Sequence, residues 1–245
     1  MSEGHSPLEQ FEIKYYTDIP EIFGANLNFS NSAMFMVFVI IAISLFLVIS
    51  MKKRELVPGR WQSLAELSYE MVANTIKDNV GNQGAAYFPL IFSLFMFVLF
   101  CNLFGMLPYS FTVTSHISIT FAMAILIFAG VTLLALVKHG TKFFGFFLPA
   151  GTPWWMAPLM FFIELFAYLA RPISLSIRLA ANMMAGHTML KVIAGFVASL
   201  GWALGWAPLG MLVVLTGFEI FVAVLQAYIF TVLTCVYLND AIHLH

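Results

Sequence analysis

From Asn79 to Val137 the chain carries no Lys, Arg, Asp or Glu. A helix crosses a hydrocarbon layer about 30 Å thick with about 20 apolar residues, so this run is too long for one crossing. Gly105, Pro108 and the polar cluster Thr112, Thr114, Ser115 and His116 mark a turn in its middle. Two spans are predicted, over 87–107 and 115–137. The composition agrees. Of 245 residues, 61% are hydrophobic and 9% charged, whereas charged residues make up about a quarter of soluble domains. The positive mean hydropathy places the chain among polytopic membrane proteins. The net charge of −1 and the lack of a basic run argue against nucleic acid as a partner. Cys101 and Cys235 both fall in apolar spans and read as small buried hydrophobes, so neither reports a redox compartment.

Residues 1–32 form an acidic tail (Glu3, Glu9, Glu12, Asp18, Glu21) without the basic start of a secretory signal. The first span is 33–51. Lys52, Lys53, Arg54 and Arg60 follow it, so this end is expected inside and the tail outside. Over 61–80, Gln62, Glu66 and Glu70 recur at helical spacing, with Leu64, Leu67, Met71, Val72 and Ile76 on other sides. This predicts an amphipathic helix on the inner surface; a polar loop is the alternative. The span at 115–137 ends in Lys138, His139 and Lys142, again inside. Pro149, Pro153 and Pro158 precede a long apolar run over 159–200. Gly201 to Gly210 turns the chain back, and 211–238 is the last helix, with Asp240, His243 and His245 inside. A helix of some 40 residues would be about 60 Å long and must tilt, kink or split. The fold class expected is an all-α membrane protein: about five membrane helices plus one amphipathic surface helix, the last two forming a long, strongly tilted hairpin. Residues 33–245 read as a single membrane domain without internal repeats.

Charged residues inside these apolar runs point to function. Glu164, Arg171 and Arg178 recur every seven residues, on nearly one helical face and about 10 Å apart. An arginine near the membrane centre costs about 3 kcal/mol on insertion scales. Ser174 and Asn182 lie one turn either side of Arg178, and Ser176, Ala180, Ala181, Ala185 and Gly186 form a small-residue flank that admits a close partner. Pro172 either kinks the helix or is held straight by its neighbours. Arg171 has Glu164 within reach, so an ordinary ion pair is open for those two. Arg178 has no acid within two turns. Its carboxylate must come from elsewhere in the chain, with Glu219 as a candidate, or from another subunit. Glu219 is the sole acid between Glu164 and Asp240, and Gln226 shares its face. His187 is the one histidine in this region. Facing a carboxylate it could pass a proton, because imidazole titrates near neutral pH; alone it reads as structural, and Gln226 alone as a helix–helix hydrogen bond. Lys191 either snorkels or borders an aqueous inlet.

The run Arg178-Leu-Ala-Ala-Asn182-Met-Met-Ala-Gly186-His187, with Pro172 upstream and Glu219 and Gln226-Ala-Tyr-Ile-Phe-Thr-Val-Leu downstream, resembles subunit a (subunit 6 in mitochondria) of the rotary F-type ATP synthase. Asn102-Leu-Phe-Gly-Met-Leu-Pro108 is similar to that family too. The resemblance covers Trp61 to Leu238. It implies a hairpin lying tilted against a rotating ring of c subunits, with Arg178 facing the ring's proton-carrying carboxylate and separating two aqueous half-channels. His187 and Glu219 would line the outer half-channel, Asn182 and Gln226 would flank the arginine, and Glu164, Arg171 and Ser174 would join the proton path. The order found here, histidine before acid, is that of alphaproteobacterial and mitochondrial members. The implied partners are the c-ring, peripheral-stalk b subunits, membrane lipid and protons. No cofactor or metal is expected. The implied location is a bacterial inner (plasma) membrane with the N-terminus outside and the C-terminus inside, or else the mitochondrial inner membrane. No phosphate-binding glycine loop is seen, so the chain is expected to bind no nucleotide and to be no enzyme by itself. Two other classes stay open: a proton-coupled secondary transporter using Arg178 for an anionic substrate, and a structural subunit of a respiratory complex.

Overall fold

The computed structural model describes residues 30–52, 55, 57–107, 112–140, 143, 145 and 155–243. Residues 1–29 of the acidic tail, Lys53, Arg54, Pro108, Lys142, Pro149, Pro153 and His245 lie outside the described residues, and residues 30–32 belong to the start of the first helix. Six α-helices account for most of the rest: α1 (Asn31–Met51), α2 (Arg60–Val80), α3 (Phe88–Gly105), α4 (Ile117–His139), α5 (Ala157–Leu204) and α6 (Trp206–Ile242). Short 3-10 turns at Asn82–Tyr87 and Val113–Ser115 precede α3 and α4. The described residues group into two compact units. One comprises the described residues up to Ala65, those of 96–116 and Leu179–Ala227, the other those of Glu66–Phe95, 117–178 and from Tyr228 onward.

Five helical stretches are long and apolar enough to cross a membrane: Asn31–Met51, Asn82–Gly105, Ile117–His139, Ala157–Gly201 and Trp206–Ile242. Their apolar side chains are largely exposed, as with Ile41, Leu45 and Val48 on α1 and Phe162 and Phe166 on α5. Water would oppose so much exposed apolar surface, whereas lipid is a matched solvent for it. At 1.5 Å per residue, α5 and α6 run to about 70 Å and about 55 Å, well beyond one hydrocarbon thickness.

In the first unit, the Ser30 hydroxyl caps α1 by accepting the Ala33 N–H at 3.3 Å. Phe38 and Phe46 of α1 meet Phe104 and Phe100 of α3, with ring centroids 5.3 and 5.6 Å apart. Gln62 departs from its expected place on the polar face of α2. It is buried and exchanges two hydrogen bonds with the backbone of Glu55, pinning the linker that enters the helix. The reversal between α5 and α6 is tighter than a turn over Gly201–Gly210. Gly201 takes φ +62°, its carbonyl accepts the Gly205 N–H at 3.0 Å, and α6 starts at Trp206. A Cβ at Gly205 would stand 2.6 Å from the Gly201 oxygen, so the turn demands glycine there.

In the second unit, α2 is amphipathic as expected. Val72, Ile76 and Val80 are buried, while Glu70, Asn74, Lys77 and Asp78 are exposed. Gly84 lets the 3-10 turn approach, since a Cβ there would meet Ile76 at 2.6 Å and Val80 at 2.8 Å. Ala135, Phe143 and Ala241 form a small core on which Val131, Phe161, Leu165 and Tyr168 pack. Pro172 does not break α5: the only non-helical dihedrals within that helix are at Gly201.

Candidate functional site

Polar residues of the second unit gather where α5 meets α4 and the C-terminal end of α6. Arg171 donates through Nη1 to Asp240 Oδ2 at 2.7 Å. Its guanidinium lies 5.7 Å from the ring centroid of Tyr168 and 5.3 Å from that of Tyr237, a cation–π cage. The Tyr168 hydroxyl bonds Thr132 Oγ1 at 2.7 Å, and His139 Nε2 lies 3.1 Å from the Ala241 carbonyl. An Arg171–Glu164 pair is therefore replaced by Arg171–Asp240. Seven residues along a helix leave about 10 Å between side-chain roots, whereas Asp240 comes to Arg171 from another helix. Glu164 is half-buried and makes no salt bridge among the described residues.

Arg178, the last α5 residue of this unit, differs. Its side chain is exposed, and no salt bridge or hydrogen bond engages it among the described residues. Ser174 is exposed on the same helix, while Ser176 is buried and donates to the Ile173 carbonyl at 2.9 Å. The small flank expected beside the arginine thus splits between an outward and an inward side.

In the first unit, α5 continues that outward side with Ala181, Asn182 and Ala185, all exposed, and turns Ala180, Met183 and His187 inward. Asn182 Nδ2 donates to Gln226 Oε1 at 3.0 Å, joining α5 to α6. One turn further along α5, Gly186 faces Glu219 of α6. A Cβ on Gly186 would sit 2.8 Å from the Glu219 carboxyl carbon, so Gly186 is what admits this carboxylate. Glu219 is 7% exposed, and neither carboxylate oxygen has a hydrogen-bond partner among the described residues. His187 Nε2 lies 4.0 Å from its Oε1. A buried carboxylate beside an imidazole, without a fixed donor of its own, is chemically fit to take up and give up a proton.

Thr112 and Asn102 complete this cluster and escaped the sequence reading as site residues. Thr112 Oγ1 lies 3.4 Å from His187 Nε2 and donates to the Gly105 carbonyl at 3.4 Å. Asn102 is fully buried and donates to the Ala223 carbonyl at 3.2 Å, one turn from Glu219 along α6. Thr112 belongs to the polar cluster read as a turn, and Asn102 to the motif read only as a family signature. Polar side chains inside an otherwise charge-free run were the available signal. Among the described residues, no group of three His, Cys, Asp or Glu could hold a metal ion.

The family model described as ATP synthase A chain matches residues 32–239. A protein from Ehrlichia canis (strain Jake), named ATP synthase subunit a, is 53% identical over 240 residues, which cover 98% of this chain and 99% of that relative.

Proposed function

The chain belongs to the ATP synthase A chain family, and from that premise we propose that it is the fixed partner of a proton-carrying rotor and provides both proton half-channels. Membership makes it a multi-pass membrane protein and a proton-translocating, non-catalytic subunit of the ATP synthase membrane sector. The finer assignments follow from chemistry. Arg178 faces a carboxylate carried by a ring of c subunits. A guanidinium is a fixed cation, so it favours the ionised acid and does not itself relay protons. Glu219 and His187 receive protons from the outside and hand them to the ring. The neutral ring site then turns through lipid, where an ionised one would be prohibitively costly. On reaching the inner half-channel, near Glu164, Arg171 and Ser174, it releases its proton. Asn182 and Gln226 hold the hairpin together beside the arginine. Each proton supplies about 2.3 kcal/mol per 100 mV of membrane potential.

Lys52 after α1, and Lys138 and His139 ending α4, support an orientation with these ends inside, in a bacterial inner membrane or else the mitochondrial inner membrane. The hairpin lies strongly tilted because both its helices exceed the bilayer. Peripheral-stalk b subunits hold it against the turning ring.

One observation carries this reading. A permanent cation stands exposed on an apolar helix, without an ion-pair partner among the described residues and followed by small exposed residues. Such a side chain in a membrane requires a carboxylate from elsewhere. The test is disulfide cross-linking in the assembled complex, with Cys101 and Cys235 replaced by alanine. Ala181→Cys is expected to cross-link to a cysteine placed beside the ring carboxylate, whereas Ala180→Cys, on the buried side, is not. Equal yields at the two positions, or none at Ala181, contradict the assignment.

A further inference from the structure

We infer that Asp240 is a positioning residue that holds and neutralises Arg171, so that a carboxylate carried by the rotor meets one uncompensated cation, Arg178. Arg171 and Arg178 are seven residues apart on α5, which puts them within about 20° of one face and about 10 Å apart along the axis. Two bare guanidinium groups at that distance would offer an arriving carboxylate two places to stay ionised. The surroundings of the two differ. Arg178 is exposed, with no salt bridge or hydrogen bond among the described residues. Arg171 is half-buried and gives Asp240 a charge-assisted hydrogen bond at 2.7 Å. The rings of Tyr168 and Tyr237 cover the same guanidinium. The gap that these four side chains line with Phe128 and Phe143 is about 10 Å³, the room of a single water. The guanidinium of Arg171 therefore has little space to swing toward the outward side.

Asp240 is fixed in its turn. Ala241, next in the chain, is buried with Ala135 and Phe143, and its carbonyl lies 3.1 Å from His139 Nε2 of α4. On the other side, Asn239 Oδ1 lies 2.8 Å from His243 Nδ1. Glu164, the acid seven residues before Arg171, makes no salt bridge among the described residues, so compensation falls to Asp240. The paired side chains are 26% and 27% exposed, and a cation left there without its acid would be poorly screened. Its field would extend toward Arg178, because the charges of Arg171, Arg178 and Asp240 all act on the Tyr237 hydroxyl. The consequence for rotation rests on the role proposed above for Arg178; the pairing does not.

The test compares Asp240→Asn, Arg171→Gln and the two combined in the assembled complex, reading proton-driven ATP synthesis, with assembly checked by co-purification of the ring. Asp240→Asn keeps the shape and bares the cation, and is expected to lower synthesis on the order of tenfold, the scale of one added charge about 10 Å away. Arg171→Gln removes the cation and leaves a hydrogen-bond donor for the acid, and is expected to cost less. Adding Arg171→Gln to Asp240→Asn is expected to raise synthesis back to the level of Arg171→Gln alone. Asp240→Glu, which keeps the charge, is expected to stay above Asp240→Asn. A mere structural tie would be broken equally by either single change and would not recover in the combination. Equal losses in the two single variants, no recovery in the combination, or an Asp240→Asn complex that fails to assemble overturns the inference. Arg178→Ala separates it from the reading it rests on. If Arg178→Ala stops synthesis while the combination fails to recover, the neutralising role fails and the role of Arg178 stands. If the combination recovers while Arg178→Ala leaves synthesis intact, the role of Arg178 fails and the charge balance of the pair stands.

Discussion

Replacing Arg178 by alanine is expected to reduce proton-driven ATP synthesis to background while the membrane sector still assembles. The expectation of normal assembly comes from the surroundings of the residue. Arg178 is exposed and has no ion pair or hydrogen bond among the described residues, so its removal leaves no buried acid stranded and opens no cavity. The loss of function comes from electrostatics. Without a fixed cation, a carboxylate arriving on the ring has nothing to favour its ionised form, and the proton is not released. A barrier to protons passing directly between the half-channels disappears at the same step. Arg178→Lys is expected to fail as well, because an ammonium lacks the planar fork and loses its charge more readily when desolvated. Synthesis in inverted vesicles, with assembly checked by co-purification of the ring, measures both parts. Normal synthesis by an assembled Arg178→Ala complex would refute the role given to this side chain.

Glu219→Gln is expected to slow proton transport by about tenfold or more, equivalent to about 1.4 kcal/mol of added barrier. Gln226→Leu is expected to cost less. The two side chains share one face of α6 and are both buried, at 7% and 1% exposure, so burial does not separate them. Chemistry does. Glu219 can bind and release a proton next to His187, whereas Gln226 accepts a hydrogen bond from Asn182 at 3.0 Å and has no titratable group. The amide in Glu219→Gln keeps the shape that Gly186 admits, so a loss of rate would report protonation and not packing. Equal rates in the two variants, measured as passive proton flux through the membrane sector, would remove Glu219 from the proton path.

The spans were legible because hydrocarbon imposes its thickness on the sequence. Each apolar run appears as a helix, with ends shifted by a few residues. The hairpin reversal shows why. Gly201 through Gly210 reads as one loose loop, but a single positive-φ residue at Gly201 with a close approach at Gly205 suffices, and helix resumes at Trp206. Of the face read from helical periodicity, Ser174, Arg178 and Asn182 are exposed, whereas Glu164 and Arg171 are half-buried. Partners distant in sequence were not legible. Arg171 pairs with Asp240, 69 residues away, while spacing alone suggested only its neighbour Glu164. Gln62 reads as part of a polar stripe, but its bonds to the Glu55 backbone draw it inward. Thr112 reads as turn chemistry, and its contact with His187, 75 residues on, arises only when the helices pack.

The central claim is that the guanidinium at position 178 answers an acid supplied by another subunit. A density map of the assembled membrane sector, sharp enough to place side chains around α5, tests it most directly. The expected map shows Arg178 on the surface facing the rotor, within a few ångströms of the carboxylate on the nearest c subunit or joined to it through one water. A map in which Arg178 turns toward lipid, or bonds wholly within its own chain and away from every c subunit, would contradict it.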